Sequence, residues 1–222
     1  MREARNSISS RIREYPGRIR DVFLSLLGIM LFAGFIHHSF PLKITAFGGL
    51  TLTAAVIGYS TRDMAILKAF GIGRLNRRIL FYIIPATGLG ILLGILTRNR
   101  FEMTLVPAGL TGVAVLAPLV GAAEELVFRG YIQGHLRPAG KLLSIVSASS
   151  IHTCYKLLVI LSLGLPLHFD FFFLILWTFI GGLLFGSLRE LSRSTIPPMI
   201  AHAIFDIVLY GTLATAPVWV WS

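Results

Sequence analysis

The chain has 222 residues, 55% of them hydrophobic and only 14% charged, with a mean hydropathy of +0.78. That is too apolar for an ordinary water-soluble domain and points to an integral membrane protein. The net charge of +10 does not mark a nucleic-acid groove, because the basic residues sit in short connectors between apolar runs, as topology signals do; the single Cys154 excludes a disulfide framework and a thiolate zinc site.

A transmembrane helix needs roughly 20 apolar residues. Seven segments qualify in chain order: 21–37, 44–60, 79–97, 103–123, 142–164, 171–188 and 196–214. The expected fold is therefore an all-α, polytopic membrane bundle of about seven transmembrane helices. It forms a single domain over 1–222, preceded within it by a basic segment at 1–20. The first apolar run lacks a small-residue cleavage site before His37 and His38, so it is expected to stay in the mature protein. "GLGILLG", Gly88 to Gly94, reads as a close-packing helix face and not as a phosphate loop.

Orientation follows from Lys and Arg. The N-terminal segment carries Arg2, Arg5, Arg11, Arg13, Arg18 and Arg20, and alternate connectors add Arg62, Lys68, Arg74, Arg77, Arg78, Arg137, Lys141, Arg189 and Arg193. The other connectors hold Lys43, Arg98 and Arg100. This excess places the N-terminus in the cytoplasm and the C-terminus outside, in a multi-pass protein of a prokaryotic plasma membrane. His168 and Asp170 fall in an outside loop, and His135 at a cytoplasmic helix end.

Glu124, Glu125, Arg129, His152, Lys156, His202 and Asp206 lie in or at the edge of apolar segments. Each charge at a helix centre costs about 2.5–3.5 kcal/mol on insertion scales, so such residues are functional candidates by default. Glu125 and Arg129 are four apart and suited to an ion pair. Glu124 points about 100° away from Glu125 and is left for another partner. His202 and Asp206 are also four apart and share a face, and His152 lies at the same depth. A water held among these groups is placed for deprotonation by Glu124 or His152, while His202 and Asp206 bond a carbonyl that becomes an oxyanion. Cys154, two residues from His152, faces nearly the opposite way and reads as a small buried apolar residue.

"EELVFR" (Glu124 to Arg129) and "HAIFD" (His202 to Asp206) resemble the EExxxR and HxxxN/D motifs of the CAAX prenyl protease and bacteriocin-processing family, CPBP or Abi. Pro197 and Pro198 also look like that family, and the resemblance covers roughly 105–210 as its catalytic core. It implies a glutamate-type intramembrane protease, metal-free and without cofactor, acting on membrane-anchored proteins or peptides. Glu124 would activate the water with His152 assisting, Glu125 and Arg129 would support the site, and His202 with Asp206 would stabilise the oxyanion. One departure stands out: the family's middle motif is FxxxH, yet Ala148 stands four before His152. Asp206 in place of asparagine leaves two readings open, a protonated donor or a group that orients His202.

Other chemistries lack their signatures. No HExxH, GxSG-like or paired YD and GxGD motif is present. Zinc held by Glu124, His152, His202 and Asp206 is compatible with the ligand types and is separable by chelator sensitivity. A proton-coupled carrier would carry inverted repeats, and none is visible; a non-catalytic membrane scaffold is the third alternative.

Overall fold

The computed structural model describes residues 2–164 and 170–213, with side chains from Gly17 onward except that of Ile66. Within these residues the chain is all-helical. α1 spans Arg2–Phe35, α2 Lys43–Thr61, the short α3 Ile66–Ala69, α4 Arg77–Arg100 and α5 Val113–Glu125. A π-helix, Leu126–Ile132, continues α5 into α6, Gln133–Leu136; α7 is Lys141–Ser162, α8 Phe171–Ser192 and α9 Ile196–Tyr210.

Local chemistry sets several of these boundaries. The Asn76 side chain accepts from Ile79 N at 3.0 Å and opens α4, and Asp170 does the same for α8 through Phe173 N at 2.9 Å. Pro197 and Pro198 fill the first turn of α9, where a missing N–H leaves no partner wanting. By length and hydropathy α2, α4, α7 and α8 each suffice to cross a membrane, and α9 is a shorter apolar helix. Large apolar side chains such as Phe23, Phe47, Ile84, Leu119 and Phe172 face outward, as a lipid-bathed bundle requires.

Two expectations need correction. The fourth predicted span, 103–123, starts ten residues late at Val113 and does not stop before the acidic pair. Pro107, Gly109 and Gly112 keep residues 104–112 out of helix, whereas nothing after Gly121 interrupts the run until Pro138. Arg98, expected in a connector, is 1% exposed. Its guanidinium donates to the Val208 and Leu209 carbonyls at 3.1 and 2.8 Å, to Thr104 O, and to the Thr104 and Thr212 hydroxyls. It thereby caps the C-terminal end of α9, where a cation also meets the helix dipole favourably. In the glycine-rich face of α4, Gly90 and Gly94 meet α9 closely enough that an added Cβ would strike Ala201 O and Val208, while Gly88 faces open space. His168 and the end of the seventh predicted span lie outside the described residues.

These contacts define two ends. At one, α4 ends beside the start of α8 through Arg100–Asp170 at 2.8 Å, and Thr111 before α5 bonds Gly211 after α9. At the other, Arg137 and Arg189 both reach Glu190 at 2.6 Å, and Arg78 bonds Leu191 O.

Candidate active site

α5 is regular through Glu125, so the two glutamates leave the helix on different sides before it widens into the π-helix. Oε2 of Glu125 lies 3.3 Å from Nε of Arg129, and both side chains are fully buried. Arg129 Nη1 is 3.1 Å from Nδ1 of His152. A guanidinium only donates, so Nδ1 accepts and the ring proton resides on Nε2. That nitrogen faces Oε2 of Glu124 at 3.3 Å. The other oxygen of Glu124 accepts from the ammonium of Lys156 at 2.6 Å. His152 and Lys156 sit four apart on α7 and grip the Glu124 carboxylate from its two oxygens.

α9 supplies the facing wall. Nδ1 of His202 is 3.0 Å from Oε1 of Glu125, while its Nε2 is 3.9 Å from Glu124 Oε2 and 4.0 Å from Asp206 Oδ1. Glu125 therefore ties both Arg129 and His202, which explains why it is buried without reaching open space. Close approach of α5 and α9 depends on Gly121: an added Cβ there would fall 2.5 Å from Asp206 Oδ2 and 2.9 Å from His202 Cδ2.

A cavity of about 390 Å³ runs along these groups. Glu124, Arg129, His152, Lys156, His202 and Asp206 line its deep part, and Leu93, Phe173, Trp177 and Leu209 make its outer walls apolar. Three carboxylates and two fixed cations meet here, and the Glu124–Lys156 hydrogen bond and the Glu125–Arg129 ion pair offset part of the cost of burying them.

All six residues singled out from the sequence for the site, Glu124, Glu125, Arg129, His152, His202 and Asp206, are thus brought together. Lys156 had been noted only as an intramembrane charge; its spacing of four from His152 was the signal for its role. The aromatic neighbour missing at Ala148 comes from the motif helix instead: Phe128 stacks on His152 with ring centroids 4.4 Å apart. Cys154, expected to be buried, is exposed on the outer face of α7, since a residue about 200° from His152 points away from the bundle. Among the described residues no group of three or more His, Cys, Asp or Glu is spaced to hold a metal ion.

No curated protein and no solved structure matches the chain. Residues 104–208 match the model of one family, described as type II CAAX prenyl endopeptidase Rce1-like.

Proposed function

From the match of residues 104–208 to the Rce1-like type II CAAX prenyl endopeptidase family, we propose that this integral membrane protein is an endopeptidase in which Glu124 activates the hydrolytic water. The reaction is hydrolysis of a peptide bond in a membrane-anchored protein or peptide. The observation that carries this reading is the Glu124 carboxylate, held on the cavity wall between His152 Nε2 and Lys156 Nζ with His202 facing it.

Both His152 nitrogens are engaged, Nδ1 as acceptor from Arg129 and Nε2 as donor toward Glu124. That leaves Glu124 and not His152 to take the proton from water. The hydroxide attacks the carbonyl carbon, and the carbonyl oxygen becomes an oxyanion near His202 and Asp206. Because Glu125 accepts from Nδ1–H of His202, a ring that also donates from Nε2 is an imidazolium, flanked by Glu125 and Asp206. Collapse of the tetrahedral species breaks the C–N bond, and Glu124 returns its proton to the departing amine. Arg129 and Glu125 hold the two histidines in these orientations. The excess of Lys and Arg on the connectors at the Arg137 end supports a cytoplasmic location for that end in this reading.

The test is cleavage of a panel of co-expressed membrane substrates, with CAAX-type, sorting-signal and leader peptides represented, by wild type, Glu124→Gln and His202→Ala. Losing the base should lower the rate by about 10²–10⁴-fold. Equal cleavage by wild type and Glu124→Gln overturns the assignment.

A further inference from the structure

Two adjacent glycines on α8, Gly181 and Gly182, line the cavity. Gly182 has a packing reason: an added Cβ would fall 2.9 Å from Ser149 Cβ and 3.2 Å from Arg129 Nη2, so α7 and α8 could not close on the site. Gly181 has none. A Cβ built there meets no atom within 4 Å, and the residue is only half-buried. Inside a helix, glycine forgoes the propensity of alanine and brings no side chain to pack. At Gly181 it leaves a notch in the cavity wall.

The notch has defined sides. Trp177 and Phe185, four residues before and four after, share this face of α8 and also line the cavity. At 1.5 Å per residue they stand about 12 Å apart along the helix axis, which leaves room for one side chain between their rings. Trp177 is tied in place: its Nε1 donates to Thr97 Oγ1 at 2.9 Å, and its ring stacks with Phe173 at 5.6 Å between centroids. Phe185 is 5% exposed and packs against His202 with centroids 5.4 Å apart. One side of the notch therefore rests on the histidine whose Nε2 faces Glu124 at 3.9 Å.

We propose that the notch at Gly181, between Trp177 and Phe185, is the subsite for a bulky apolar side chain, of the Leu or Phe class, on a substrate residue beside the scissile bond, and that Gly181 sets the size it accepts. This deepens the protease reading and rests on it. Because Phe185 packs on His202, a peptide whose carbonyl meets His202 carries a neighbouring side chain to the level of Gly181. Two aromatic rings present carbon surface, so a charged side chain entering between them loses water and gains no partner from either. A small side chain leaves the rings without contact and forfeits the dispersion a larger one gains.

The experiment uses the full-length protein and one cleaved member of the co-expressed panel, its scissile bond located by mass spectrometry of the products. Reporters carry Ala, Leu or Phe on either flank of that bond. Wild type should prefer Leu or Phe over Ala at one flank. Gly181→Ala should lower that preference, read as a ratio of kcat/KM, by roughly 10-fold, and Gly181→Leu by about 10²-fold, the scale of added methylenes in an apolar pocket. In a Cys154→Ser background, Gly181→Cys blocked with benzyl methanethiosulfonate should lose the Leu and Phe reporters and regain them with dithiothreitol, a recovery that a misfolded variant would not show. An unchanged ratio in both variants, a wild type without preference at either flank, or undiminished cleavage after benzyl blocking overturns the proposal. Failure of the protease reading, which removes this proposal with it, looks different: cleavage is then equal in wild type and Glu124→Gln, or absent from both.

Discussion

The ammonium of Lys156 lies 2.6 Å from Oε1 of Glu124, while His152, one helical turn earlier on α7, faces Oε2 at 3.3 Å. The carboxylate is therefore held in one plane by two donors from a single helix, with neither of its oxygens free to swing.

Removing one jaw of this clamp should misplace the base more than it unfolds the protein. Lys156→Met is expected to lower kcat by on the order of 10²-fold with little change in KM, the penalty of a misplaced catalytic group. Lys156→Arg, which keeps charge and donors, should recover most of the rate. Steady-state kinetics on a cleaved substrate check this; equal kcat for Lys156→Met and wild type would refute the clamp.

Asp206 sits 4.0 Å from His202 Nε2, and both line the cavity where the proposed oxyanion would form. An amide at this position donates whatever the proton inventory of the cluster, so Asp206→Asn should retain activity within about tenfold. Asp206→Leu supplies no donor and removes the carboxylate that faces His202, with an expected loss of about 10²–10³-fold. If Asp206→Leu cleaves as well as Asp206→Asn, the side chain has no part in the oxyanion site.

Arg98 ties the C-terminal carbonyls of α9 to the end of α4 and to Thr104. Arg98→Met leaves buried carbonyls without donors, for a loss on the order of 3 kcal/mol. Thermal melting in detergent should fall for this variant and fall less for Arg98→Lys. An unchanged melting curve would show that water or lipid headgroups replace the guanidinium.

Cys154 projects from the outer face of α7 away from the cavity, and Lys156 holds a cation's place against Glu124. Cys154→Ser should cleave as wild type does. Treatment with a zinc chelator should leave cleavage unchanged. Loss of activity on chelation, restored by zinc, would instead assign Glu124, His152 and His202 to a metal.

The membrane class and the helical architecture followed from local rules, and the same rules singled out the polar side chains that the structure brings together. Twenty-residue apolar runs must be helices where no water satisfies the backbone, and charges inside them demand partners. Spacings of four predicted the Glu125–Arg129 pair and the shared face of His202 and Asp206, because helix geometry alone determines them. What lay between helices was not legible in this way. Which nitrogen of His202 meets Glu125, that Lys156 and not Arg129 neutralises Glu124, that Phe128 replaces an aromatic on α7, and that Arg98 is buried all depend on how separate helices lie against one another. The late start of α5 belongs to the same class, since hydropathy does not distinguish an apolar loop packed across a bundle end from an apolar helix. The Gln133–Glu190 contact, between residues more than fifty positions apart, was likewise decided only by tertiary structure.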